Sequence, residues 1–261
     1  MSGFLSTVTF TTIAIGLSSV RSFLPGIVEP TAIASTPHRP IYLVDRVVDG
    51  SDFDQFRHRL RRAVQRRDTA FLYSTLPPEG VMIGNDGPVP PQMLALENAN
   101  SPFWRSLEKM LAPESCELES YPGSTPDAAI WGCPNIASAF TQQHPALGAN
   151  NTAESLNHVV IVGRYVNVRA RPQLGTPVVG QLSNEVVEFD QRTWSELLAT
   201  RPEVIDDPIE GWTPVILPNF VRGYIYNRYV YHPLGPRALF ENVAGQWRLV
   251  RIMTSDELTM P

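Results

Sequence analysis

Lysine is almost missing from this chain. Lys109 is the one lysine in 261 residues, and every other basic residue is arginine. That bias reads first as genomic composition and second as bidentate anion recognition, for which arginine's planar fork is suited. Basic charge is also short: 21 Lys and Arg against 26 Asp and Glu give a net charge of −5. A general phosphate-backbone binder needs a concentrated basic face, so no nucleic acid is expected as a partner. Cysteine is limited to Cys116 and Cys133, without C-x-x-C spacing or a neighbouring histidine, which leaves too few ligands for a metal site. G-x-S-x-G, H-E-x-x-H, G-x-x-x-x-G-K and G-x-G-x-x-G are all absent, and with them the common hydrolase, zinc-peptidase, P-loop and dinucleotide signatures. His38, His58, His144, His158 and His232 are dispersed. Asp206, Asp207 and Glu210 read as a solvated acidic loop. No catalytic residue, cofactor or metal is nominated, and the chain is not expected to be an enzyme.

The composition that remains is globular. Apolar residues at 43% and charged ones at 18% exclude an intrinsically disordered chain, and the length suits two modest domains with a real core. The 24 prolines fall mostly between periodic runs, so the elements should be short and rigidly joined.

Phe4 to Val20 is apolar and uncharged, ends at Arg21, and is followed by Ala32-Ile33-Ala34. Small residues at the first and third of those positions fit signal-peptide cleavage, here after Ala34, so residues 1–34 are read as a signal peptide. No basic residue precedes the run and the segment before the cut is long. The alternatives are an uncleaved membrane anchor, near the lower length for a bilayer span, and a buried amino-terminal element. For an exported chain, a Cys116–Cys133 disulfide is the natural reading and stabilises by about 3 kcal/mol in the chain-entropy model. In a cytosolic chain the two would be small buried hydrophobes.

Residues 35–145 read as an α+β domain. Ile41 to Val44 suggests a short strand. Ser51, with Asp54 three residues on, resembles a capping box and opens a helix whose apolar residues are Phe53, Phe56, Leu60, Val64 and Phe71. Arg57, Arg59, Arg61, Arg62, Arg66 and Arg67 fill much of the remainder, which implies a solvated face. Gly84 to Pro88 reads as a turn. Asn100-Ser101-Pro102 caps a second helix with Phe103, Trp104, Leu107, Met110 and Leu111 as its apolar stripe, stopped by Pro113. From Cys116 to Asn157 the chain reads as a loop and then, at 146–157, a linker, with Ala128 to Trp131 the one strand-like piece. The helix, Gly-rich turn and Trp-bearing helix between Asp52 and Cys133 resemble the start of cone-shaped nuclear transport factor 2-like domains.

His158 to Tyr231 is written as a small twisted β unit: β-branched and aromatic runs split by Gly, Pro, Asn and Asp. Val166-Asn167-Val168-Arg169-Ala170-Arg171-Pro172, then Gly180-Gln181-Leu182, Gly211-Trp212 and Gly223-Tyr224-Ile225 resemble the bacterial Src homology 3 domain. The resemblance implies barrel strands at Tyr165–Ala170, Glu185–Asp190, Gly211–Leu217 and Gly223–Arg228, within a unit spanning 158–235. Gln191 to Glu210 replaces a short loop of that family, with one helical turn expected around Trp194, Leu197 and Leu198. Such domains bind through aromatic groove residues, which makes Tyr165, Trp194, Trp212, Tyr224 and Tyr226 the ligand-binding candidates, with Arg169 or Arg222 for a carboxylate. Barrel packing for Trp212 and Tyr224 and plain solvation for Arg169 are the competing readings. Arg237–Val243 and Gln246–Ile252 flank Ala244-Gly245 as a hairpin within 236–261, which either follows the barrel or returns beneath the first helix.

The expected fold class is therefore α+β: two helices with short strands, a Src homology 3-like barrel and a carboxy-terminal hairpin. The expected function is that of an exported, periplasmic or envelope-associated binding protein recognising a peptide, a peptidoglycan fragment or a partner protein. A membrane would be met only through an uncleaved signal. The alternative is a small-molecule-binding or catalytic cone-shaped domain with the barrel as accessory.

Overall fold

Two β-sheets with helices packed on and between them follow from the patterns above, in a computed structural model that describes residues 38–85, 87–119, 129–148 and 152–254. The signal-peptide reading, at residues 1–34, lies outside the described residues, as does Asp86 of the expected turn. Among the described residues no helix is long and apolar enough to cross a membrane. Among the described residues the fold is mixed α+β, with seven helices and sheets of six and seven strands.

Helix α1 (Asp52–Arg66) starts where Ser51 Oγ accepts the Asp54 N–H. The Asp54 carboxylate accepts the Gly50 N–H, one residue earlier than a capping box would have it. The helix ends at Arg67, in the left-handed region at φ 55°. Phe71 therefore belongs to a second helix, α2 (Thr69–Thr75), capped by Asp68. Arg57 departs from the solvated face expected of it. It is buried because Asp45 and Asp54 face it from one side of the helix, at 2.6 and 2.9 Å, and satisfy its charge.

Strands β1 (Val81–Ile83) and β2 (Pro88–Val89) form an antiparallel pair around the Gly84 turn. In α3 (Pro102–Leu111), Ser101 caps through the Phe103 N–H and Pro102 fills the first position, where its missing donor costs nothing. Strands β3 (Glu117–Glu119) and β4 (Ile130–Cys133) are joined at one end by the Cys116–Cys133 disulfide. The stretch read as loop and linker holds three helices: α4 (Ile136–Gln143), α5 (Pro145–Gly148) and α6 (Thr152–Leu156). Ile41 to Val44 is not a strand. Its backbone makes a single-residue approach, Ile41 N–H to Asn184 O, and Ile41 is buried with Ile136, Phe140 and Val160.

The β-rich stretch supplies β5 (His158–Ile161), β6 (Val166–Arg169), β7 (Val178–Leu182), β8 (Glu185–Phe189), β9 (Trp212–Ile216), β10 (Arg222–Tyr226) and β11 (Val230–Tyr231). Their pairing order is β11-β5-β8-β9-β10-β6-β7. Side chains from both ends of that order, Ile161 and Val230 at one and Val168 and Leu182 at the other, share a single apolar cluster. Helix α7 (Gln191–Thr200) runs for ten residues rather than one turn, because Asp190 caps it through the Thr193 N–H and hydroxyl. Buried Asn227 ties the rest of this insertion down, donating to Ile205 O and Asp207 O and accepting from the Thr213 hydroxyl. Gly211 sits against that knot: a Cβ there would lie 2.5 Å from Asn227 Nδ2 and 2.6 Å from Asp207 O.

Strands β12 (Arg237–Val243) and β13 (Gln246–Met253) form the hairpin, with Ala244 and Gly245 both at positive φ as a type I′ turn requires. They lie inside the other sheet, of order β2-β1-β13-β12-β4-β3, in which only β1 and β13 run parallel. Phe53 and Phe56 of α1 meet Phe240 at 5.8 and 5.7 Å between ring centroids, and Trp247 lies 4.8 Å from Phe53. Leu60, Trp104, Leu107 and Leu249 complete that core.

Candidate functional site

Four of the ligand-binding candidates come together. Tyr165, Arg169, Trp212 and Tyr226 line one groove of about 320 Å³ on the β-rich half, with Arg164, Leu174 and Tyr229. Tyr165 stands on the β5–β6 connection, 69% exposed as a residue, held at φ 55° while its N–H donates to Ser183 Oγ. Trp212 is buried and packs on Tyr226 at 5.4 Å, so it forms the floor and Tyr165 and Tyr229 the rim. Arg169 donates to Thr176 O at 2.7 Å, which fixes its guanidinium against the loop after β6. The groove thus offers flat apolar faces with phenol tips and two guanidinium groups, a combination suited to a peptide or sugar. Arg164, Leu174 and Tyr229 were not singled out in the sequence; they sit in connections with no period to mark them.

The other candidates lie elsewhere. Arg222 is ion-paired with Asp190 and therefore already holds a carboxylate from this chain. Burial alone would raise the Asp190 carboxyl, but the Thr193 N–H and hydroxyl and the Arg222 guanidinium outweigh it and hold the group below its usual range. Tyr224, half-buried in β10, has its phenol pushed up by burial and by the Asp190 charge. Trp194 packs edge-on against Phe189 at 5.5 Å, well away from the groove lining. No residue of 191–210 lines the groove.

Trp194 instead belongs to a second, more apolar cavity of about 430 Å³ where the β-rich half meets α3 and α4. Met110, Ile136, Val159, Phe189, Ile205 and Pro208 supply its walls, so the insertion closes this space and not the aromatic groove. Lys109, Asp206, Tyr231, His232 and Arg237 are the polar groups on it that titrate or carry charge. Burial pushes the His232 imidazole below its ordinary 6.5, with the Leu156 carbonyl acting weakly the other way, and burial also lowers His144. Because the folded state resists protonation of these rings, the unfolded chain takes up more protons just below pH 6.5. Stability should be full above that point and fall as pH drops through it. Urea midpoints at about pH 7.5 and about pH 5.5 should show that fall, and His232→Gln should make the difference smaller.

Phe56, Trp104 and Trp247 do not share the groove that two of them border. Phe56 and Trp247 border an open groove with Asp52, Gln55 and Arg59, while Trp104 is fully buried and donates its indole N–H to Leu96 O at 2.9 Å. Among the described residues no group of three or more metal-type side chains is assembled. Comparison of the chain with protein-family models, with curated proteins and with solved structures returns no match.

Proposed function

We propose that this chain is a non-enzymatic binding protein of the bacterial cell envelope, its β-rich half a Src homology 3-type barrel that recognises a wall peptide, a glycan or a partner protein. The observation that carries the reading is the convergence of Tyr165, Arg169, Trp212 and Tyr226 with Tyr229 in one groove. The barrel reading is supported by the apolar cluster shared between the two ends of the strand order, as expected of a sheet curled on itself. An oxidising compartment is supported by the Cys116–Cys133 disulfide.

The test is co-sedimentation with purified peptidoglycan sacculi. Wild-type protein should pellet with them, and Tyr165→Ala should weaken binding about tenfold, the scale of one well-placed aromatic contact at 1–2 kcal/mol. Tyr165 is exposed, so its loss should leave thermal unfolding unchanged. Full recovery of the wild type in the unbound fraction would reject a wall ligand. The 430 Å³ cavity favours a second reading, small-molecule binding at a site separate from the groove.

A further inference from the structure

We propose that the cavity between α3, α4 and the β-rich half takes an apolar aldehyde or ketone, and that the Lys109 amine adds to its carbonyl carbon to form an imine. This rests on different residues from the groove and stands whether or not the groove binds a wall component.

The cavity has the volume and lining of a small-molecule site, about 430 Å³ with aliphatic and aromatic walls. At its wall is the only lysine of the chain. Lys109 lies near the end of α3, where its Nζ donates to the Asn227 carbonyl and sits 3.7 Å from the Tyr231 ring centroid. Burial pushes this amine well below the usual lysine range, and the nearby Arg228 cation adds to the effect. The remaining charged or titratable groups on the cavity are Asp206, Tyr231, His232 and Arg237. Arg237 is paired with Glu119 at 2.9 Å, and burial raises the Tyr231 phenol and lowers the His232 imidazole. Near neutral pH the latter two are therefore uncharged, and the amine loses its proton more readily than one in water. A desolvated, neutral lysine beside an apolar pocket is the form that attacks carbonyl carbon.

The ligand class follows from the same surroundings. A carboxylate brought into these walls would lose its hydration, and the one guanidinium there, Arg237, is already paired with Glu119, so the transfer is costly. A carbonyl carries no such charge. In the step itself the Nζ lone pair forms the N–C bond, giving a carbinolamine. The two amine protons then depart with the former carbonyl oxygen as water, leaving a C=N bond. No oxidant or reductant is needed.

Lys109 also joins α3 to Asn227, which a purely structural residue would do equally well. Reductive trapping separates the two roles. The full chain is incubated near neutral pH with 1-naphthaldehyde and cyanoborohydride, and adducts are located by peptide mass mapping. One naphthylmethyl group should appear on Lys109, formed at least about tenfold faster than on a free lysine amide, since each unit of lowered pKa frees about tenfold more amine. Unreactive 1-naphthalenemethanol should protect it. Lys109→Gln, which keeps an uncharged donor toward Asn227 and adds no charge to the buried site, should abolish the adduct with little change in unfolding. Should that variant fail to fold, the wild-type rate and protection decide. An unlabelled Lys109, a rate equal to that of the free amide, or labelling that the alcohol does not suppress would each overturn the proposal.

Discussion

Phe240→Ala is expected to lower the stability of the chain by about 4 kcal/mol, within the range for removing a fully buried aromatic ring. Phe240 has no exposed surface and stands in β12, directly across from Trp131 of β4 and Leu249 of β13. Its ring meets both Phe53 and Phe56, so truncation opens a void between α1 and the middle of the sheet. Rigid strands on two sides leave little room for collapse, which places the effect well above the average substitution. Phe240→Leu should cost about 1 kcal/mol, since it keeps most of the volume. Urea unfolding of both variants checks the difference. A loss below about 1 kcal/mol for the alanine variant would mean that the helix is not seated on this ring.

Reduction of the Cys116–Cys133 bond is expected to cost about 3 kcal/mol, the chain-entropy value for a loop of this size. The two cysteines are 17 positions apart and both are buried. Cys133 ends β4, which is paired on both sides, and the Cys116 N–H donates to Asp45, which also holds Arg57. Opening the bond therefore releases a strand end and the partner of a buried guanidinium together. The denaturation midpoint with and without a reductant, and in a Cys116→Ala/Cys133→Ala variant, measures the effect. Equal midpoints would show that the sheet holds β4 without the bond.

How far the sequence announced these features depends on how local their causes are. Helices α1 and α3 were legible because Ser51, Ser101 and Pro102 are start signals and the apolar residues recur at helical spacing. Helix α4 was not: Ala, Ser, Thr and Gln around Phe140 give a weak stripe, and its apolar side becomes meaningful only against Ile41, Val160 and Tyr231. The same long-range packing explains Ile41 to Val44, whose apolar run suggested a strand but which, past the Ile41 N–H bond to Asn184 O, is held by side chains. The length of α7 was hidden because its cap, Asp190, directly follows the last residue of β8 and reads as part of that strand. Arg57 looked like one of six equivalent arginines, and Asp54 with Asp45, the latter outside the helix, sets it apart.

The sites divide in the same way. Tyr165, Arg169, Trp212 and Tyr226 come from the one β-rich stretch and could be grouped from its pattern. The apolar cavity draws on positions from Lys109 to Arg237, and no spacing rule joins them. Lys109 carried the one available signal, that of being the only lysine.

The place of β13 between β1 and β12 has a consequence for how the chain is made. Synthesis runs from the amino end, so α1 and β1 emerge long before residues 246–253, and the apolar face of α1 waits without Phe240, Trp247 or Leu249. The β-rich half, contiguous in sequence, can form meanwhile. The sheet under α1 closes only once residues 246–253 have emerged, which makes its assembly late and topologically slow. A chain cut short after residue 235 and released would have a β-rich half that resists protease and first helices that remain open to it.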